Sequence, residues 1–275
     1  MKKLFIVSAV ALAVITGCAQ QQTVSQGTVV EQQQAAAIIV SPNDQRQYKT
    51  FTLPNKLEVV LVSDPSTEKS AVSLSVGAGM FQDPMTQQGL AHYLEHMLFM
   101  GTERYPDPAE YAGFMSQHNG AYNAYTWLDI TNYMFEINNS KYEEALDRFA
   151  DFFKAPLLLP EYVDKERNAV NSEWSLNRNQ DGWAQRQIAA QLLGEHPANK
   201  FWIGNLDTLS DKTDSKLHEE LVAFYQQYYS ANRMKLVLIS PQPLPQMQLL
   251  AQRYFAGIKN KKLQTHIWLL QKSIL

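Results

Sequence analysis

The sequence predicts an α+β fold: a mainly antiparallel sheet with helices packed on one face. Three observations lead there. Strand-like stretches open the folded part, recur in its middle and return near its end, without the regular strand–helix alternation of a parallel sheet. The run SAVSLSVGAG (70–79) sets Val72, Leu74 and Val76 against Ser73, Ser75 and Gly77, the period of a strand buried on one side. The run AYNAYTWLDITNYMFEIN (121–138) divides into two segments rich in Tyr, Thr, Ile and Phe, which reads as a hairpin.

The elements follow in order. YKTFTLPNKLEVVLVSDP (48–65) holds two extended stretches around the turn pair Pro54-Asn55. The second strand reaches the 70–79 strand through Asp64-Pro65, which predicts an antiparallel start. A helix is expected over about 87–99, ending near Gly101. A second follows in 107–120, with Asp107 as N-cap, Pro108 at its first position and Asn119-Gly120 as its stop. After the hairpin, KYEEALDRFADFFKAP (141–156) is an amphipathic helix closed by Pro156, and Pro160 opens another through about 179. HEELVAFYQQYYSANRMKLVLIS (218–240) runs from a helix into a strand. There is no internal repeat.

The chain has 275 residues, 45% of them hydrophobic and 19% charged, with 13 Tyr and 12 Phe, so a sizeable core is available. A net charge of −3 and scattered basic residues exclude a nucleic-acid-binding face. Residues 1–18, MKKLFIVSAVALAVITGC, carry two lysines and then an apolar run too short to span a bilayer comfortably. They read as a secretory signal ending in a lipobox-like Ile15-Thr16-Gly17-Cys18, with Cys18 as the lipidated residue. With Ala19 and Gln20 after it, the expected location is the bacterial cell envelope: a membrane anchor through lipid, in the outer membrane, facing the periplasm. Cys18 is the only cysteine, so disulfides are excluded from the fold. Residues 19–46, rich in Gln, Ala and Ser, are read as a flexible tether.

The chemistry concentrates in GLAHYLEHMLFMGT (89–102). An apolar helical stripe needs neither histidines nor a glutamate. His92 and His96, four apart, share one helix face about 6 Å apart along the axis, close enough for both imidazoles to reach one ion. Glu95 borders that face and can accept a proton from water held at the metal. H-x-x-E-H is the inverted zinc-protease order. Left to geometry alone, the two histidines also fit partly buried side chains satisfied locally. A catalytic zinc wants three protein ligands and one open position. Glu166 and Glu173, two turns apart on the helix opened by Pro160, are candidates for ligand and supporting carboxylate. Glu161 is a rival in the first turn, where an acid suits the helix dipole anyway.

The stretch GLAHYLEHMLFMGTERYPDPAEYAGFMSQHNGAYNAYTWLDITNYMFEI resembles the family of pitrilysin and insulin-degrading enzyme, the inverted zinc metallopeptidases. The likeness runs from about Tyr48 to about Asn260. It implies a zinc-peptidase N-terminal domain over 47–262, with one Zn2+ per chain held by His92, His96 and Glu173. It implies Glu95 as the base and Glu166 as a supporting acid that does not bind metal. NGAYNAYT resembles the family's exposed edge strand, to which an extended peptide substrate adds as a further strand, with Asn123 and Ala124 flanking the scissile bond. The expected activity is zinc-dependent endoproteolysis. Family members are several times longer, and their second half carries an arginine and a tyrosine that grip substrate. The final stretch 263–275 has no such continuation and is read as an atypical tail, a truncation or a frameshift. Two activities therefore stand: a protease, alone or with a partner chain supplying the second half, and a catalytically impaired metal- or peptide-binding fragment. A structural lipoprotein with an incidental motif is the third reading.

Overall fold

Alternation in the sequence becomes a sheet whose inner face carries the apolar residues. The computed structural model describes residues 38–194 and 196–264. The expected leader with Cys18, most of the 19–46 tether and nearly all of the 263–275 tail lie outside the described residues. Within the tether, Asp44 accepts hydrogen bonds from Arg46 and Tyr48 at the entrance to the first strand. Among the described residues no helix is long and apolar enough to cross a membrane.

Strands β1 (Gln47–Thr52) and β2 (Glu58–Ser63) pair antiparallel. The Pro54-Asn55 turn between them is closed by Lys56 N–H donating to Leu53 O at 2.8 Å. β3 spans Lys69–Val76, and the hairpin β4 (Ala121–Thr126) and β5 (Thr131–Asn138) pairs antiparallel as expected. β6 is Met234–Ser240, and the sheet order is β1-β2-β6-β3-β5-β4. The expectation that β2 and β3 lie side by side is corrected: β6 stands between them, parallel to β2 and antiparallel to β3. Its run Met234, Leu236, Leu238 is fully buried, which suits a central strand better than an edge. Among the described residues the β2–β6 pair is the one parallel pairing in the sheet.

Seven helices complete the chain: α1 (Leu90–Met97), α2 (Glu110–Gln117), α3 (Tyr142–Asp151), α4 (Val163–Asn177), α5 (Asp181–Leu192), α6 (Leu217–Tyr228) and α7 (Leu244–Phe255), counted among the described residues. α5 and α7 were not expected. α5 shows only a faint apolar stripe, and α7 opens among Pro243 and Pro245, which read as loop. Val72, Leu74 and Val76 of β3 pack inward, while Ala71, Ser73 and Ser75 on the other face stay partly exposed. The inner face meets Leu90, Ala91, Leu94 and Met97 of α1, all buried. A fully buried Leu or Met contributes about 1.5–3 kcal/mol relative to exposure, so this face fixes α1 against the sheet.

α1 begins at Leu90, later than the expected 87. Asp83, buried, holds its start: Oδ2 accepts from Gly89 N–H and Oδ1 from Ala91 N–H, both at 2.8 Å. α2 likewise begins at Glu110 rather than at Pro108. Asp107 Oδ1 accepts from Ala109 N–H at 2.9 Å in the turn that leads in, and the helix stops before Asn119, at φ 55°.

Candidate metal centre

The start of α1 also sets its depth. Gly89 has φ 94°, in the region that favours glycine, and a Cβ built there would lie 2.3 Å from Gly204 Cα. This close approach brings the segment 201–204 against the first turn of α1. The Ile203 carbonyl, an acceptor only, then meets His92 Nδ1 at 2.7 Å. Nδ1 must carry the ring proton, which leaves the Nε2 lone pair free. Gly89→Ala is expected to cost about 3 kcal/mol or more, from the backbone conformation plus the clash, and to weaken metal binding with it. Thermal unfolding and zinc titration of the variant check this, and an unchanged melting midpoint would contradict it.

His96 is turned in the same way from the other side. Its Nδ1 lies 3.4 Å from Glu166 Oε2, and its Nε2 lies 3.4 Å from Glu173 Oε1. His92 Nε2 lies 3.3 Å from Glu173 Oε2. Both free nitrogens therefore converge on one carboxylate, and His92, His96 and Glu173 form a group able to hold a metal ion. Ligands at 2.0–2.1 Å around a tetrahedral ion stand about 3.3 Å apart, which these separations match. The donor set of two imidazoles and one carboxylate suits zinc.

The charges agree. The His92 partnership draws the Glu173 carboxyl below its ordinary range, against burial. Burial pushes Glu166 up, but His96 and Lys165 outweigh it and the net direction is down. Both carboxylates stay ionised beside the imidazoles. Glu95 moves the other way: burial pushes its carboxyl up, against the pull of His92 and the Thr126 hydroxyl. Thr126 Oγ1 donates to Glu95 Oε2 at 2.6 Å, leaving Oε1 without a protein partner among the described residues.

These residues line a cleft of about 660 Å³ with Asn123, Ala124, Trp183, Arg186 and Trp202. β4 forms one edge of the sheet and one wall of the cleft, with Tyr122, Asn123 and Tyr125 exposed. Ala124 N–H donates to Asn123 Oδ1 at 2.9 Å. Every predicted site residue of the described part thus lies on this cleft, and Glu161 does not; it sits in the turn Pro160–Tyr162. Asp83, Thr126, Trp183, Arg186, Trp202 and the Ile203 carbonyl were missed. The buried end of the β4 alternation marks Thr126; the others reach the site only through the fold.

The chain is similar to known proteins along most of its length. The family described as Insulinase (Peptidase family M16) matches residues 58–196, and the one described as Peptidase M16 inactive domain matches 216–274. Insulin-degrading enzyme-like 1, peroxisomal, of Arabidopsis thaliana is 44% identical over 227 residues, 81% of this chain and 23% of that protein. Protease 3 of Escherichia coli is 42% identical over 223 residues, again 81% of this chain and 23% of that protein. The crystal structure of pitrilysin matches with a TM-score of 0.82 and 41% identity, over 85% of this chain and 25% of that one. The chain spans about a quarter of the length of these relatives. The first half of the periplasmic protease PqqL from Escherichia coli shares the fold, with a TM-score of 0.71 at 23% identity. The chain belongs to the insulinase family, peptidase family M16, and corresponds to the N-terminal part of its longer members.

Proposed function

We propose that this chain is the metal- and base-bearing part of a zinc-dependent endopeptidase acting on extended peptides. The observation that carries the reading is the convergence of His92 Nε2 and His96 Nε2 on Glu173, at 3.3 and 3.4 Å, beside a buried Glu95. His92, His96 and Glu173 would hold one Zn2+, with Glu166 orienting His96. When bound, the ion supplies Lewis acidity that polarises the scissile carbonyl and acidifies water.

The chain's own residues do the rest. A peptide adds to the open edge of β4, its backbone replacing the Asn123 side chain as partner of Ala124 N–H. Asn123 and Ala124 then flank the scissile bond, and the small Ala124 allows close approach. Glu95 Oε1 takes a proton from the attacking water and returns it to the leaving amine. Thr126 holds the opposite oxygen and so fixes which one works. The leader pattern alone supports the lipid anchor at Cys18 and the envelope location.

One observation favours a second reading. The chain spans about a quarter of its relatives, so turnover would await a further segment or chain, and alone it would bind metal and peptide only. The test is zinc content measured together with hydrolysis of a β-forming peptide, with and without chelator. One zinc per chain is expected, with hydrolysis lost on chelation and restored by zinc. Zinc without hydrolysis selects the binding reading. A chain that retains no zinc, or hydrolysis indifferent to chelator, overturns both.

A further inference from the structure

Arg186 faces the cleft without an acid to neutralise it. On α5 the positions 183, 186 and 190 turn inward, and the residues between them stay exposed. Arg46, Arg104, Arg148, Arg167 and Arg253 each meet a carboxylate. Arg186 meets none among the described residues, nor do Arg178 and Arg233, but of these three only Arg186 lines the cleft. Its one hydrogen bond runs from Nη2 to Met80 Sδ at 3.6 Å, and its Cζ lies 5.0 Å from the Trp202 ring centroid. Burial lowers its proton affinity with no neighbouring acid to offset the effect, yet a guanidinium stays charged. Two further donors of the cleft lining, Trp183 Nε1 and Trp202 Nε1, are buried without a hydrogen-bond partner.

Its position along the cleft follows from two contacts. Trp202 precedes Ile203, whose carbonyl holds His92. The Trp202 ring also packs 5.3 Å from that of Trp127, the residue that follows β4. Arg186 therefore stands at the C-terminal end of the edge strand. A peptide added antiparallel to β4 places there the residues N-terminal to its scissile bond.

We propose that Arg186 forms an anion-accepting subsite that selects substrates carrying Asp or Glu close on the N-terminal side of the scissile bond. The inference rests on the peptidase reading for its register. A carboxylate arriving with substrate gives the guanidinium the bidentate partner that the protein withholds. The half-closed cleft strengthens that pairing relative to open solvent.

The test uses the zinc-loaded full chain carrying Glu95→Gln, so that peptides stay intact. Two labelled peptides, alike except for Glu or Gln at that position, are compared by fluorescence anisotropy. The Glu peptide is expected to bind about tenfold more tightly, with the ratio falling as salt is added. Adding Arg186→Gln should bring the ratio to about one with zinc content unchanged, an outcome that loss of a merely structural side chain would not give. Arg186→Lys, which keeps the charge and loses the fork, should retain part of the preference. Equal binding of the two peptides, a ratio that survives Arg186→Gln, or no binding of either peptide overturns the proposal. The comparison with Arg186 intact decides even if the Gln variant folds poorly. Zinc content is read separately: its absence counts against the peptidase reading, while peptide binding and its Glu-to-Gln ratio judge Arg186.

Discussion

Glu95→Gln is expected to lower peptide hydrolysis by roughly 10²–10⁴-fold while leaving the zinc content of the chain unchanged. Gln has the shape of Glu and can accept the Thr126 hydrogen bond, so α1 and its two histidines keep their places. It cannot accept a proton at neutral pH, so the water would attack unassisted. Burial favours the wild-type residue for this work, because raising its carboxyl toward neutrality makes it a stronger base while it remains ionised. The measurement is kcat for a β-forming peptide alongside zinc analysis of the same sample. A Gln variant with wild-type turnover would remove Glu95 from the chemistry.

Glu173→Gln should all but abolish zinc binding, lowering affinity by well over about 100-fold, whereas Glu166→Gln should cost only about 10–100-fold. The two glutamates lie on one face of α4, yet they meet the histidines differently. Glu173 faces both Nε2 atoms; Glu166 faces only His96 Nδ1. An amide at 173 replaces an anionic donor with a weak neutral one and leaves two imidazoles, too few for a retained ion. An amide at 166 loosens the orientation of one ring while all three donors survive. Competition with a zinc chelator of known affinity measures both. Equal losses, or a larger loss at 166, would reverse the assignment of the two roles.

The contrast between 173 and 166 was legible in the sequence only as a pair on one helix face; the choice came from resemblance. His92, Glu95 and His96 were legible because their chemistry is packed into one turn of one helix. The strand at 70–79 announced itself by alternation, which local burial enforces, and the hairpin by its β-favouring composition. Other parts were not legible because their causes are distant. Thr126 reaches Glu95 across 31 residues, and the Ile203 carbonyl reaches His92 across 111. A backbone carbonyl has no residue-type signature at all. Arg186 could be seen as special only once the fold placed it in the cleft with no acid to pair it. The boundary of α1 was misplaced because its cap, Asp83, lies outside the adjacent positions where caps are normally sought.

The interposed strand β6 has a consequence for biosynthesis. The sheet that seats the histidine helix lacks its middle strip until residue 240 has left the ribosome. Before that moment β2 and β3 have no mutual register to adopt, and the strand edges that β6 will join stay open while β4 and β5 can already pair with β3. Any product ending short of β6 would therefore lose the rigid seat beneath the histidines, even though His92, His96 and Glu173 were already made.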